Sequence, residues 1–434
     1  NMANTKPKYK KITSEIKDHL RTLYVQGDID PQGFRRVSNI EDLALENGLS
    51  KNTLYKLAQR ENSKNILLIE KENELASHQT GNNSGVIHSG IYYTPGSLKA
   101  KNCFNGRLQL IDFAKEHNIG HEMCGKLIAA FDHSELDTLD KIYENGIKNG
   151  LKDISILSSD ESKKHEPYIE CIKSIFVPYA GIIDYKEVVE VLCKEFVKIN
   201  KKNTVLKSTK VISLSDNKEQ KIINTTKGIF KTDYTIFACG LQADELAKSD
   251  NIDLDVQIVG FRGDYYNVVN KGLKKVKGLI YPVPNIDLPF LGVHLTKMHD
   301  GKIEAGPNAV FSFKKEGYSR TSFSMSDTMR AFSFKGLWIL FVGYWKIGLG
   351  EYLRAFSKKR FLKSLQRLVP NLKMEDITIG KSGVRAQALD KKGNLIDDFL
   401  IKKTKNSLHI INAPSPAATA SLAIADEVVN RIFK

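Results

Sequence analysis

Hydrophobic and polar positions along this chain predict a mixed α/β protein. A short apolar run over 66–69 ends in an acid, Glu70, and is typical of a buried parallel strand. Similar runs at 234–238 and 408–411 each lead into a predicted helix. Residues 257–315 alternate strand-like runs with turns, whereas 328–368 have a helical pattern. Strands that alternate with helices in this way indicate an α/β fold.

The stretch from residue 77 to residue 100 is rich in glycine. Gly81, Gly85 and Gly90 stand among small polar residues, with two histidines nearby. Glycine has no Cβ, so its backbone N–H groups can approach a flat or anionic ligand closely. An acid at the end of the preceding strand, such as Glu70, can bind the ribose hydroxyls of a dinucleotide. A glycine-rich surface turn explains the same spacing, and spacing alone leaves both interpretations open.

The first 62 residues follow a different pattern. Over 39–60, two apolar helical faces are separated by Gly48, and Ser50 can cap the second helix. This is the spacing of a helix-turn-helix and resembles that of phage terminase small subunits, although a generic helical hairpin fits the same residues. We therefore expect an all-α module over 1–62, with DNA as a candidate partner. The residues that its second helix would present to DNA are Lys51, Asn52, Tyr55 and Lys56.

Composition narrows the class of protein. The net charge is +15, but lysine is spread along the chain, which favours a lysine-rich composition over a nucleic-acid patch. Five cysteines without a C-x-x-C pair predict reduced thiols in a cytoplasmic protein rather than disulfides or a metal site. No apolar run reaches 18 residues, so no membrane span is predicted. Residues 336–345, with basic flanks, fit either a peripheral contact on the inner face of the cell membrane or a buried core helix.

From about residue 65 to 434, the chain resembles the FAD-dependent L-2-hydroxyglutarate dehydrogenases/oxidases, which are D-amino-acid-oxidase-like flavoproteins. Five blocks carry the resemblance: HQTGNNSGVIHSGIYYTPGSLKA (78–100), IYPVPNIDLPFLGVHLTKMHDGKIEAGPNAV (280–310), SGVRAQALD (382–390), LIDDFL (395–400) and HIINAPSPAATASLAI (409–424). It implies a Rossmann-like FAD/NAD(P)-binding domain of the glutathione-reductase type, interleaved with a mixed-sheet substrate domain over approximately 102–175 and 257–380. The reaction implied is oxidation of L-2-hydroxyglutarate to 2-oxoglutarate, with electrons passing to a membrane quinone or to oxygen.

One departure from this family concerns the loop that binds pyrophosphate. The sequence contains no G-x-G-x-x-G, the loop that seats the FAD pyrophosphate on a helix N-terminus. The N-terminal module stands where the family has its first strand, this loop and its first helix. We therefore expect weak FAD binding by an oxidoreductase domain over 63–434. The alternative is a chimeric, flavin-deficient protein whose remaining activity is DNA binding.

The resemblance also implies roles for residues of the substrate site. Arg385 matches the G-x-R arginine that holds the substrate carboxylate, and the planar guanidinium suits that bidentate contact. His294 is the expected base, with His88 as the alternative, because a neutral imidazole suits proton transfer near pH 7. The other expected substrate-binding residues, of which the first two are candidates for the distal carboxylate, are Arg262, Lys297 and Tyr265.

The expected FAD contacts come from the glycine-rich stretch, from positions in the middle of the chain and from the start of the last helix. The N–H groups of that helix start would face the flavin edge where negative charge accumulates. No metal site is expected. The cofactor-binding residues implied by the resemblance are Glu70, His78, Gln79, Thr80, Gly81, Asn83, Ser84, Gly85, Val211, Gly240, Pro416, Ala417, Ala418 and Thr419.

Overall fold

The computed structural model describes residues 28–29, 35–36, 65–217, 220–284 and 292–433. The chain divides into two compact units, the first from residues 1–70 and 192–206 and the second from 71–191 and 207–434. The helix-turn-helix expected over 39–60 lies outside the described residues. Strands β1 (Asp28–Ile29) and β2 (Arg35–Arg36) pair antiparallel, so the expectation of an all-α segment is wrong there. Pro31 and Gly33 stand between them in sequence, and both residue types favour turns.

The first unit contains a parallel strand pair. Strand β3 (Leu67–Ile69) pairs with β10 (Thr204–Leu206), with Leu68 opposite Val205. The predicted parallel strand is therefore confirmed, but its predicted burial is wrong, because Leu67 is 36% exposed and Leu68 is 38% exposed. Among the described residues β10 is the one strand that pairs with β3, and a two-stranded pair lacks the layers that bury a central parallel strand.

The second unit is built on a nine-stranded mixed sheet. Its longest pair is antiparallel and places Phe261 opposite Arg385, with a bulge between Asp264 and Tyr266. Residues 126–177 and 256–390 supply the strands. These are β6 (Lys126–Ala130), β7 (Ser155–Ser158), β8 (Lys173–Val177), β15 (Val256–Val268), β16 (Leu279–Pro282), β17 (His294–Lys297), β18 (Ile303–Gly306), β19 (Val310–Phe311) and β20 (Ile377–Asp390). The order is β19-β15-β18-β17-β16-β6-β8-β7, and β20 pairs with β15.

Burial on this sheet explains its stability. Every residue of β15 except Asn267 is buried, as expected for a strand covered on both faces. One face packs on a short helix, where the rings of Tyr266 and Phe361 lie 4.4 Å apart. The site residues on these strands are therefore held on a rigid, close-packed support.

Smaller sheets complete the second unit. The predicted strand at 408–411 is confirmed and pairs parallel with the predicted strand near 235. The run at 205–214, predicted as one strand, is divided by Ser208, whose φ is +52°. Its two parts therefore belong to different sheets and different units. The three-stranded sheets are β4 (Val86–Ile87) with β9 (Gly181–Ile183) and β5 (His121–Glu122), β11 (Val211–Asn217) with β12 (Gln220–Thr225) and β13 (Gly228–Thr232), and β14 (Thr235–Phe237) with β22 (Ser407–Asn412) and β21 (Leu400–Lys403).

Nine α-helices lie in the described part of the chain. They are α1 (Leu98–Glu116), α2 (Leu136–Lys148), α3 (Ser159–His165), α4 (Tyr185–Ile199), α5 (Ala243–Ser249), α6 (Met325–Phe332), α7 (Lys335–Phe356), α8 (Lys358–Gln366) and α9 (Ser421–Phe433). The helical pattern at 328–368 is thus confirmed as α6, α7 and α8. Helix α7 is kinked at Tyr344. None of the helices described combines the length and apolar character needed to cross a membrane.

Candidate active site

His294 opens β17 and is buried, with 4% of its surface exposed. Its Nδ1 lies 2.9 Å from the carbonyl oxygen of Gly292. Since a carbonyl oxygen only accepts, Nδ1 carries the proton and Nε2 keeps its lone pair. The ring stacks on Tyr281 at a centroid distance of 4.0 Å. Burial lowers the pKa of His294 to about 3, and the charges of Arg385 and Lys126 act in the same direction. The imidazole is therefore neutral and oriented, as a general base must be.

His88 follows β4 and belongs to the same site. Burial is the main cause that lowers the pKa of His88 to about 3, and the nearby charges of Lys126 and Arg385 act in the same direction. Its backbone N–H donates to Thr419 Oγ1 at 3.1 Å, which holds the residue against the turn before α9. Among the described residues nothing hydrogen-bonds to the His88 ring, in contrast to the anchored ring of His294.

Arg385 reaches this site from β20. Its charge acts on both histidines, and on the hydroxyl of Tyr265, a buried residue of the adjacent strand β15. Burial raises the pKa of Tyr265 to about 12, and Arg385 beside it opposes that rise. Four predicted residues, separated by up to 297 positions in the chain, are thus brought to one place.

A fifth residue of the site, Lys126, was not predicted from the sequence. Lys126 opens β6, is only 2% exposed, and has its Nζ 4.5 Å from the ring centre of Tyr92 and 4.7 Å from that of Tyr281. Burial lowers the pKa of Lys126 to about 7. The available signal was a lone lysine at the start of the apolar run Leu127–Ala130, but a lysine-rich chain makes that signal weak.

The two residues expected to hold a distal carboxylate are already paired. Arg262 donates from Nε to Asp264 at 2.9 Å and from Nη1 to the carbonyl oxygen of Ser319 at 3.0 Å. Lys297 donates to Glu122 at 2.7 Å at the protein surface. Neither cation is therefore available to a substrate unless it gives up an existing partner.

The turn before α9 presents unpaired backbone donors. The Ala417 N–H donates to Pro414 O, and the Ala420 N–H donates to Pro416 O. The amides of Ala418 and Thr419 have no acceptor among the described residues, although Thr419 is buried. Free N–H groups at the start of a helix form a site for an anion or an electron-rich carbonyl.

The glycine-rich stretch is braced against β20 beside this turn. Gln79 Oε1 accepts from the Ala386 N–H at 2.9 Å, next to Arg385. A Cβ on Gly240, whose φ is +50°, would lie 2.8 Å from Gln79 Nε2, so the small residue lets the two loops approach. Asn83 Nδ2 donates to Thr80 O, and Asn83 Oδ1 accepts from the Gly85 N–H, both at 2.8 Å.

Ser84 and Gly81 occupy the same stretch. Burial raises the pKa of the Tyr281 hydroxyl, and hydrogen bonding by Ser84 acts against that rise, which places Ser84 at the site. A Cβ on Gly81 would lie 2.2 Å from the carbonyl oxygen of Ala76, so glycine is required for this close approach.

Other predicted residues lie elsewhere or pair differently. His78 hydrogen-bonds to Tyr318 and Glu72, each at 2.9 Å. Glu72, His78 and Glu316 form a group of three potential metal ligands. The Lys71 ammonium lies among them, 2.8 Å from His78 and 2.9 Å from Glu316.

The other residues predicted to bind the cofactor or DNA belong to other segments of the chain. Val211 opens β11 in a hairpin sheet of the second unit. Glu70 ends β3 in the first unit, where its N–H donates to Leu206 O at 3.0 Å. The proposed DNA-binding residues Lys51, Asn52, Tyr55 and Lys56 lie outside the described residues.

Sequence relatives share most of the chain. It is 45% identical over 383 residues to an L-2-hydroxyglutarate dehydrogenase of Indibacter alkaliphilus, covering 88% of this chain and 96% of that protein. It is 38% identical over 368 residues to an L-2-hydroxyglutarate dehydrogenase of Escherichia coli K12, covering 85% and 86%. It is 40% identical over 396 residues to a mitochondrial L-2-hydroxyglutarate dehydrogenase of Homo sapiens, covering 86% and 85%.

Solved structures share the fold. An L-alpha-glycerophosphate oxidase of Mycoplasma pneumoniae with FAD bound has a TM-score of 0.67 at 24% identity, covering 84% of this chain and 87% of that one. A glycine oxidase of Geobacillus kaustophilus has a TM-score of 0.63 at 15% identity, covering 87% and 90%. These likenesses confirm the predicted FAD-binding α/β fold with mixed sheets.

A family model also matches the chain. The model described as "FAD dependent oxidoreductase" (DAO) matches residues 51–431. Together with the relatives, this match confirms the resemblance and FAD as the cofactor, and it gives no support to the chimeric, flavin-deficient alternative. The chain therefore belongs to the DAO family of FAD-dependent oxidoreductases.

Proposed function

We propose that this protein oxidises L-2-hydroxyglutarate to 2-oxoglutarate with FAD as its cofactor. The observation that carries the proposal is a neutral, oriented histidine that shares a buried site with an arginine, in a chain 38–45% identical to proteins named L-2-hydroxyglutarate dehydrogenases. A 2-hydroxy acid offers a carboxylate to the arginine and a hydroxyl proton to the histidine, so the two groups match two ends of one functional unit.

Arg385 binds and orients the substrate. Its guanidinium can hold the C1 carboxylate through two parallel hydrogen bonds, which fixes the position of the adjacent Cα. The hydroxyl of Tyr265, beside that guanidinium, is held in its neutral form by burial and can donate a further hydrogen bond. The carboxylate would thus be bound next to the buried side chains of Tyr265 and His294.

His294 takes the hydroxyl proton. Its Nε2 carries the lone pair because Nδ1 donates to Gly292 O, and its stacking on Tyr281 prevents the ring from rotating. Removal of the hydroxyl proton leaves negative charge on the oxygen, and this charge favours departure of the hydride from C2. The base therefore acts while C2 is oxidised. His88, held against the turn before α9, is the second candidate for this role.

The residues present fit the flavin end of FAD. The amides of Ala418 and Thr419 have no acceptor among the described residues, and they lie in the turn before α9, whose N-terminal dipole favours negative charge. Gly240 and Gln79 pack closely enough that a larger residue at position 240 would collide. When bound, FAD supplies the flavin that accepts the hydride from C2 of the substrate.

Turnover by the FAD-saturated protein tests this function. We expect 2-oxoglutarate to form from L-2-hydroxyglutarate, with reduction of a dye acceptor, and no turnover of the D enantiomer. The comparison substrates are L-alpha-glycerophosphate and glycine, on which structurally similar proteins are named to act. Preference for either comparison substrate over L-2-hydroxyglutarate would refute the proposal.

We also propose that α7 rests on an anionic membrane, where a quinone would accept the electrons. The helix buries Gly336, Leu337, Leu340 and Ala355, but exposes 75% of Val342, 59% of Trp345 and 63% of Phe356. A buried core helix therefore explains only one face of α7. The exposed basic side chains beside the apolar face, which suit anionic lipid headgroups, are Lys335, Lys346, Lys359 and Arg360.

A cavity of about 1220 Å³ adjoins this face and is lined in part by Phe341, Tyr344 and Trp345. Pro282 and Val293 also line it, each next in sequence to a residue of the active site. A quinone bound there would lie near residues of the active site.

Vesicle sedimentation tests this contact. We expect the protein to bind vesicles that contain phosphatidylserine and to be released by Trp345→Glu. Ile229→Glu is the matched control, because Ile229 is also exposed, by 66%, but belongs to β13 rather than to α7. Equal binding to neutral vesicles, or equal release by both variants, would contradict an anionic membrane as the partner. Dioxygen would then be the electron acceptor to test by peroxide formation.

A further inference from the structure

Lys126 differs from the other buried lysines of this protein. Four lysines are buried in the part of the chain that the structure describes, and three of them pair with carboxylates: Lys99 with Asp397, Lys221 with Asp250 and Lys315 with Asp244. Lys126 has no hydrogen-bond acceptor among the described residues. Its ammonium lies between the rings of Tyr92 and Tyr281 instead. Two aromatic faces attract a cation but offset only part of the cost of burying it.

The position of Lys126 places this cation in the active site. Its charge lowers the pKa of both His88 and His294, and it shares Tyr281 with the stacked ring of His294. Arg385 acts on the same two histidines. Among the described residues that contact Lys126 there is no anion to balance its charge. A second carboxylate on the substrate would supply that anion, whereas a monocarboxylate held by Arg385 would not.

We propose that Lys126 binds the distal carboxylate of a dicarboxylic 2-hydroxy acid while Arg385 binds the C1 carboxylate, an assignment that rests on the proposed function. Lys126 thereby selects dicarboxylates over 2-hydroxy acids that end in a methyl group. Specificity of this kind is strong, because an apolar chain end would leave the buried ammonium without a partner. The alternatives Arg262 and Lys297 already have carboxylate partners.

The surroundings of Lys126 also predict how this contact depends on pH. The titratable groups that face it are Tyr92, Tyr281, His88, His294 and Cys103. Burial raises the pKa of both tyrosines and raises that of Cys103 to about 12, while the histidines stay neutral. Of these residues, Lys126 is therefore the one whose charge changes near pH 7. Since its pKa in the free enzyme is about 7, affinity for the distal carboxylate falls as the pH rises above 7.

The test compares two substrates of equal chain length in the holoenzyme. L-2-hydroxyglutarate has the distal carboxylate, and L-2-hydroxyvalerate has a methyl group in its place. We expect Lys126→Met to lower kcat/KM for L-2-hydroxyglutarate on the order of 100-fold, and to leave kcat/KM for L-2-hydroxyvalerate unchanged or raised. Lys126→Arg should restore part of the preference. Lys297→Met tests the alternative cation, and loss of preference in that variant alone would overturn the assignment.

Two further measurements, the melting temperature and ligand binding by calorimetry, show whether a changed activity comes from Lys126 itself or from a failure of folding or of the proposed function. Replacing an unpaired buried charge by methionine should not lower the melting temperature, so the variant is expected to fold. Calorimetric titration with glutarate and valerate measures the preference for a second carboxylate without turnover. Suppose that the wild type does not oxidise L-2-hydroxyglutarate but binds glutarate better than valerate, and that Lys126→Met loses this preference. The proposed function then fails and the assignment of Lys126 stands. Equal loss of binding for both ligands, or no loss, refutes the assignment.

Discussion

Replacing His294 by asparagine removes the proposed base with little change to its surroundings. The asparagine Nδ2–H can take the place of the imidazole Nδ1–H, which donates to Gly292 O at 2.9 Å, but asparagine has no lone pair in the position of Nε2. General-base catalysis contributes roughly 10²–10⁴ in rate, or about 3–5 kcal/mol of barrier. We expect kcat to fall by this factor and KM to change little, because a base acts in the transition state and Arg385 still holds the carboxylate.

Anaerobic single-turnover reduction of the bound flavin measures this step directly. His88→Asn is the matched control, since His88 shares the site and the same charged neighbours but lacks an anchored ring. Flavin content is measured in both variants, because His88 also contacts the turn before α9 through Thr419. A normal reduction rate in His294→Asn together with a lost rate in His88→Asn, at equal flavin content, would show that the roles are reversed. Normal rates in both variants would mean that the base is not a histidine.

The pH profile gives a second check on the same residue. Burial is the main cause that lowers the pKa of His294 to about 3, and the charges of Arg385 and Lys126 act in the same direction. A bound dicarboxylate neutralises these charges, so the pKa of the base is higher in the complex than in the free enzyme. The acid limb of kcat should therefore lie at a higher pH than the acid limb of kcat/KM. Persistence of both limbs in His294→Asn would refute the assignment.

Two further predictions concern the carboxylate contact and stability. Arg385→Lys keeps the charge but loses the planar fork, so we expect the transition-state stabilisation measured by kcat/KM to fall by about 2–4 kcal/mol in steady-state assays. An unchanged kcat/KM would exclude a bidentate contact. Lys221 pairs with buried Asp250 and, at 2.7 Å, with half-exposed Asp216. In urea unfolding experiments, we expect Asp250→Asn to lower the unfolding free energy by about 3–5 kcal/mol and Asp216→Asn to lower it by about 0.2–1 kcal/mol. Burial raises the pKa of Asp250, but hydrogen bonding from Lys221 and His409 outweighs burial and lowers this pKa. The stabilisation that Asp250 provides is therefore present above about pH 4 and is lost as the pH falls. Equal losses of unfolding free energy in Asp250→Asn and Asp216→Asn would contradict this account.

Local patterns in the sequence predicted the elements that support the site. The apolar run at 408–411 became part of β22, strand-like runs within 257–315 became β15 to β19, and the helical pattern at 328–368 became three helices. These predictions succeed because strand and helix periodicity depend on neighbouring residues. The burial of Leu67 and the continuity of 205–214 were wrong, because both depend on which strands pair and where a residue such as Ser208 adopts positive φ.

Resemblance to a family located His88, His294, Arg385 and Tyr265, but not what each one contacts. The hydrogen bond from His88 to Thr419 joins positions 331 residues apart, and the choice of tautomer at His294 depends on the carbonyl of Gly292. Arg262 was a reasonable candidate for the substrate until the fold placed Asp264 beside it.

The sequence by itself determined the family, the cofactor and the kinds of side chain that the reaction needs. Only the tertiary structure decided which cations already have a carboxylate partner. In the sequence Lys126 is one of many lysines. In the fold it is buried between two tyrosine rings, and no carboxylate among the described residues pairs with it. Whether a buried charge has a partner depends on residues far away in the chain, and the cost of leaving it unpaired makes that arrangement informative about the ligand.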